Sequence, residues 1–263
     1  MNLKDLDSFV LEDILTSDHP SSFTKRDSYA LLILRLPEVN SEIKLNSYAF
    51  IIEKNSVQIY NRDAKELESL GTLDKFIDFL DNKIDKLLKN IQQYHIEIDN
   101  LEESLYDSHI DKKFMEKWLN FKKNTSLINR LMFHSTIAIE LFVNYLKKNS
   151  ILDYNEHALV DVIQEMNRVK DLSKSALDKL DNLYDFYRAK VDEKMNRNVY
   201  YLTLLSGLFL PLTLVTGFFG MNTGGLPFTD DSYGTLKVVV ISIILELLFF
   251  LPFFILNSKN RSS

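Results

Sequence analysis

Two apolar stretches, Val199–Phe219 and Val238–Leu256, carry a small set of polar residues, and the chemistry of this chain should be sought among them. In and before the first stretch, Asn196, Thr203, Ser206, Thr213 and Gly217 recur at helical spacing and share one face. Neutral amide and hydroxyl oxygens on one side of an apolar helix either line water or form a small-residue seam between helices; spacing leaves both open. In the second stretch Glu246 is the only charged residue. An ionisable group in that setting either titrates, as proton-coupled transport would require, or keeps its proton and hydrogen-bonds to a neighbour. Upstream, Asp178, Asp181, Asp185 and Asp192 follow one another at spacings of three, four and seven, which brings them close to one helix face. They form either a solvated face or a carboxylate site for a cation.

Other chemistries lack their residues. There is no cysteine, so disulfides and thiolate metal sites are excluded. The five histidines show no ligand spacing, and there is no Gly-rich phosphate loop of the Walker type. A net charge of −6 argues against a nucleic-acid partner, which needs clustered Lys and Arg. No constellation of an enzyme is present, and no resident cofactor is expected.

These residues must be positioned by long helices. From about Asn155 to Phe219 the apolar positions step close to every 3.6 residues, and neither Gly nor Pro occurs from Asn155 to Ser206. A continuous helix over this stretch would reach roughly 98 Å at about 1.5 Å per residue. Only its end is apolar enough for a bilayer, so the rest should stand outside as a stalk. Each apolar stretch is close to the roughly 20 residues that span a membrane. Arg188, Lys190, Lys194 and Arg197 flank the first, and Lys259 and Arg261 follow the second. The loop between, Gly220–Gly234, has no Lys or Arg but has Asp230 and Asp231, so both termini are expected on the cytoplasmic side of an inner (cytoplasmic) membrane. The N-terminal residues do not read as a secretory signal.

Ahead of the stalk, Phe9–Leu15 suggests a short helix. Three strands are expected over 29–36, where Pro37 stops the run, and over 48–52 and 57–60. Helices are expected over 72–105, with Thr72 at the cap, and over 112–148 through Trp118, Phe121, Leu131, Ile137 and Leu141. The expected organisation is an α+β membrane protein with a small N-terminal α/β cytoplasmic domain and its covering helix at 1–110. A helical stalk at 111–197 leads into a transmembrane helix at 198–219. An outer loop at 220–234, a second transmembrane helix at 235–257 and a cytoplasmic tail at 258–263 complete the chain.

The end of the first stretch is the most specific feature. Gly220-Met221-Asn222, preceded by Phe209-Leu210-Pro211-Leu212-Thr213 and placed between two C-terminal apolar stretches after a long helix, resembles the CorA family of divalent cation channels. Thr223-Gly224-Gly225-Leu226-Pro227 is similar to the subgroup containing the zinc transporter ZntB, and Phe219 replaces the tyrosine common before the motif. The resemblance implies a funnel-shaped homopentamer in lipid, with five first spans around one pore. Gly220, Met221 and Asn222 would form the selectivity filter, with Asn222 holding a hydrated cation. By spacing back from the motif, it implies pore-facing positions at Asn196, Leu202, Leu210 and Thr213, beside Thr203, Ser206 and Gly217 of the polar stripe. It also implies regulation by cytoplasmic Mg²⁺, for which Asp178, Asp181 and Asp185 are the candidates. Influx of Mg²⁺, with Co²⁺ or Ni²⁺, driven by membrane potential is the leading expectation. Proton-coupled Zn²⁺ import involving Glu246 is the alternative, and a membrane-anchored coiled-coil scaffold without transport is a third.

Overall fold

The computed structural model describes residues 3, 6–39, 43–54, 56–106, 113–149, 154–228 and 230–259. The expected boundary at 110 and most of the tail at 258–263 lie outside them. The chain divides into two compact units, Met1–Tyr187 and Arg188–Ser263.

The first unit opens with α1 (Ser8–Leu15), where the Asp7 carboxylate accepts the Phe9 N–H at 2.9 Å. The apolar patch of α1 divides: Val10 and Ile14 are buried, while Phe9 is 71% exposed. Five strands follow in an antiparallel meander, β1 (Ser22–Lys25), β2 (Ala30–Val39), β3 (Ile43–Glu53), β4 (Ser56–Asn61) and β5 (Glu66–Gly71), each beside its sequence neighbour. The domain is therefore α+β rather than the α/β expected of it, and it has two more strands than its sequence suggested. β5 carries only Leu67 and Leu70, three apart and so out of strand alternation, and β1 has only Phe23 to mark it.

Alternation builds two cores on one sheet. Leu31, Ile33, Ala49 and Ile51 face α1 with Val10 and Ile14. Leu32, Leu34, Phe50 and Ile52 face the long helices α2 (Leu73–Tyr106), α3 (Phe114–Lys148) and α4 (Glu156–Phe219). Phe50 meets Phe76 edge-on at 4.9 Å, and Phe76 meets Phe142 at 5.6 Å.

Pro37 does not stop β2, contrary to expectation. β1 pairs only with Ala30–Ile33, so β2 beyond Ile33 has a free edge. There the Arg35 N–H donates to Ser21 Oγ at 2.8 Å, and its carbonyl accepts from Ser135 Oγ of α3 at 3.0 Å. Pro37, two residues on, turns its ring nitrogen to the same edge, where no strand asks for an N–H.

Away from the sheet, α2, α3 and the first part of α4 form a third core of Ile98, Leu101, Leu105, Phe114, Ala176, Leu180 and Leu183. Carbonyls of α4 receive side chains from both neighbours: Trp118 Nε1 donates to Leu180 at 2.7 Å, Asn129 Nδ2 to Lys170 at 3.0 Å, and His95 Nε2 lies 2.9 Å from the Leu172 carbonyl. The Thr72 carbonyl accepts the Phe76 N–H at the start of α2. On α3 the buried face is Ile128, Met132, Ile139 and Phe142, leaving Ile137 and Leu141 exposed. Asn155 caps α4 by accepting the Ala158 N–H at 3.2 Å.

α4 is 64 residues long and is long and apolar enough to cross a membrane, the one such helix found among the described residues. The second unit holds its last part, the loop from Gly220, and α5 (Gly234–Lys259).

Replacing Phe50 by Ala should cost about 3–5 kcal/mol, since a fully buried ring at the centre of the sheet–helix core is removed. Phe9→Ala should stay within about 0.5 kcal/mol. Thermal unfolding of the two variants checks the contrast.

Candidate cation pathway

α4 ends in the Gly-Met-Asn motif. The Gly220 N–H donates to the Thr216 carbonyl at 2.8 Å and the Met221 N–H to Phe218 at 3.4 Å, after which the chain leaves the helix. A Cβ built on Gly220 would stand 2.8 Å from the Thr216 carbonyl oxygen, closer than real Cβ contacts allow. The glycine thus lets the last helical carbonyl stay where it is while the chain turns. Met221 and Asn222 follow in the open, both exposed. Gly225 takes up a positive φ of 86° in the loop. Farther on, Asp231 pairs with Lys237 and accepts the Tyr233 N–H, and these two contacts hold its carboxyl below the usual range.

Within this unit α4 is exposed on most sides. Leu204, Gly207, Pro211, Leu212, Val215 and Phe219 form a narrow strip that is covered to some degree, Pro211 most. Asn196, Leu202, Thr203, Ser206, Leu210, Thr213 and Gly217 are exposed, Leu202 at 64% and Leu210 at 70%. The centres of the two sets lie roughly 150° apart, counting about 100° per residue. The expected pore-facing set thus lies away from the covered strip, on a helix whose Leu205, Phe209 and Leu214 are exposed as well. Its hydroxyls have a defined polarity. Thr203 Oγ1 donates to the Val199 carbonyl at 2.9 Å, and Thr213 Oγ1 to Phe209 at 2.7 Å. With the hydrogens spent on the helix, the oxygens present lone pairs outward. At Thr203 and Thr213 the surface can accept hydrogen bonds from the water shell of a cation.

The chain matches the description "CorA-like Mg2+ transporter protein" over residues 2–257. It belongs to the CorA family. Among relatives, it is 26% identical over 212 residues to a "Zinc transport protein ZntB" of Vibrio parahaemolyticus, covering 81% of this chain and 63% of that one. It is also 44% identical over 45 residues to "Divalent cation transporter CmaX" of Pseudomonas aeruginosa, covering 17% of this chain and 14% of that one. The chain spans 63% and 51% of the lengths of the first two ZntB relatives. The fold is similar to the CorA magnesium transporter of Methanocaldococcus jannaschii, with a TM-score of 0.74, 17% identity and coverage of 94% of this chain and 83% of that one. Full-length CmaX gives 0.69 and 15%, covering 94% and 82%.

The stalk aspartates of this CorA-family chain lie in its first unit or just beyond it. Asp178, Asp181 and Asp185 are exposed on α4. Asp181 accepts from Lys122 Nζ of α3 at 2.6 Å, and Lys179 between them pairs with Asp99 and, at 2.6 Å, with Glu102 of α2. Among the described residues no group of three His, Cys, Asp or Glu side chains could hold a metal ion. One copy of the chain does not assemble the expected site.

A second acidic group went unmarked in the sequence. Asp78, Asp81 and Asp85 on α2 stand near Asp161 and Glu165 on α4. Burial, then the neighbouring carboxylates, push Asp81 and Glu165 above the usual range, and Glu165 Oε2 is buried without a partner. The i, i+3 and i+7 spacing on α2 was readable; that α4 turns two more acids toward it was not. In consequence the native state binds more protons than the unfolded chain, so this group stabilises the fold at acidic pH and loses that contribution as pH rises through the carboxylate range.

Two outcomes follow from this geometry. Gly220→Ala should cost about 1–3 kcal/mol through the Cβ–carbonyl clash, whereas Gly224→Ala, where an added Cβ meets nothing within 4 Å, should be near neutral; melting temperatures of the two variants read the difference. Glu165→Gln should raise the melting temperature at neutral pH and flatten its rise on acidification, measured by thermal unfolding between about pH 7 and 5.

Proposed function

We propose that the chain carries divalent metal cations into the cell, Mg²⁺ foremost with Co²⁺ or Ni²⁺, as a homopentamer in the inner (cytoplasmic) membrane. Five copies of Val199–Phe219 surround the pore, and α5 forms the second span outside them. Both termini are cytoplasmic. The observation that carries this reading is the exposed Gly220-Met221-Asn222 at the end of a long apolar helix on which Thr203 and Thr213 present oxygen lone pairs outward.

Mg²⁺ gives up its water reluctantly, so a ring of Asn222 amide oxygens that accept from its hydration shell is a suitable first contact. The C-terminal end of each α4 adds about −0.5 charge at the mouth, and five such ends attract a cation. Asn196, Thr203, Ser206 and Thr213 then receive hydrogens from the water shell, with Leu202 and Leu210 as apolar rings between them. At about 100 mV, inside negative, a divalent ion gains roughly 4.6 kcal/mol, two charges at about 2.3 each. That supports a gradient of about 2,000-fold with no nucleotide. Asp178 and Asp185, exposed on adjacent stalks, would meet across copies and bind cytoplasmic Mg²⁺ to hold the closed state; Asp181 is less free, being paired with Lys122.

Zinc import driven by a proton gradient is the second reading. It is favoured by the names of the ZntB relatives and by Gly224-Gly225-Leu226-Pro227 after the motif.

The deciding experiment is cation uptake into liposomes carrying the purified protein. Mg²⁺ uptake driven by voltage alone is expected, and Asn222→Ala should abolish selective uptake with the assembly still folded. Zinc uptake that requires an imposed proton gradient would overturn the channel in favour of the second reading. A collapsed assembly in Asn222→Ala would make that residue structural.

A further inference from the structure

Glu246 is a carboxyl group without an evident purpose. Both of its oxygens are shut off from solvent, and neither has a hydrogen-bond partner. It lies on the covered stripe of α5, where Gly234, Val238, Ser242 and Glu246 recur every fourth residue amid exposed neighbours. The covered residues of α4 in the same unit are Leu204, Gly207, Pro211, Leu212, Val215 and Phe219. In a unit made of two helices and one loop, these two narrow stripes are the surfaces available to face one another.

The α4 stripe brings no titratable side chain to Glu246. On α5, Lys237 is taken by Asp231 at the outer end, and Ser242 donates its hydroxyl to the Val238 carbonyl at 2.8 Å. Tyr200 and Tyr201 are exposed at the other end of the apolar stretch of α4. What α4 does bring is an acceptor. Pro211 has no N–H, so the carbonyl of Gly207 lacks the donor that an ordinary helix would supply four residues on. Gly207 precedes Phe219 by the same number of residues, 12, as separates Glu246 from Gly234. In a hairpin turning over Gly220–Tyr233 the two are level, each roughly 18 Å from the turn at about 1.5 Å per residue. An unmet carbonyl and an unmet carboxyl are both costly where no water reaches, and one O–H satisfies the two together.

We propose that Glu246, in its acid form, donates its O–H to the carbonyl of Gly207 and so pins the second span to the proline kink of the first. Glu246 is then a positioning residue for the pore helix, and its proton is a fixed part of the structure rather than cargo. The inference goes beyond the proposed function and holds whichever cation is carried.

The test uses the full chain in lipid vesicles. Infrared spectra should contain a carboxylic-acid carbonyl band that disappears in Glu246→Gln and shifts in Pro211→Ala, where Gly207 regains a backbone donor. Glu246→Ala should lower the melting temperature by about 2–4 °C. Glu246→Gln, which keeps an N–H donor, should retain both the melting temperature and cation flux. Pro211→Ala should remove most of the penalty of Glu246→Ala in the double variant. Absence of the band would overturn the proposal, and this reading needs no variant to survive purification. So would a double variant no more stable than Glu246→Ala, which would place the partner elsewhere, including in another copy. Loss of proton-dependent flux in Glu246→Gln would also overturn it, because the proton would then be moving.

Discussion

A single helix has to satisfy two surroundings, and the rest of the structure follows from that. From Leu159 to Leu183 α4 buries a stripe against α2 and α3, with its other sides polar. From Val199 to Phe219 it is apolar nearly all round and mostly uncovered in one chain. A backbone without interruption is the economical way through both, because every amide inside a helix is bonded within its own segment. Pro211 is the one proline inside α4, and it is also the one residue of the apolar stretch that is buried.

The same constraint sets the polarity of the candidate pathway. Threonine hydroxyls in a helix donate back to the preceding turn, so Thr203 and Thr213 show oxygen and not hydrogen to their surroundings. Asn222 lies just past the last helical carbonyls, where the helix end is negative. Gly220 permits the chain to turn there without displacing the Thr216 carbonyl. The way the helix stops would therefore attract a cation to its end, before any acidic side chain is considered.

In the first unit, electrostatics pull in two directions. Lys122 and Lys179 bind the stalk to α3 and α2 through exposed ion pairs of small individual worth. Higher on the same helix, Asp161 and Glu165 face the acids of α2 and oppose the packing that Leu159, Val162 and Met166 provide. The apolar core outweighs this, since burial of large side chains is worth more than the repulsion of half-solvated carboxylates.

The sequence by itself determined the long helices, the apolar stretches and the motif. Spacing of Leu, Ile and Val at 3.6 residues, and the lack of Gly or Pro before Ser206, act locally and leave no other regular structure open to α4. That the residues from Asn196 to Gly217 share one side of the helix was readable for the same reason. Tertiary structure decided what local patterns do not encode. Pro37 stays in its strand because β1 is too short to ask for its N–H. Ile137 and Leu141 are exposed because α3 turns Ile139 and Phe142 inward instead. Asp181 is occupied because Lys122 comes from another helix, and Glu165 meets Asp81 only once α2 and α4 pack. Periodicity says which residues share a face; only packing says what that face meets.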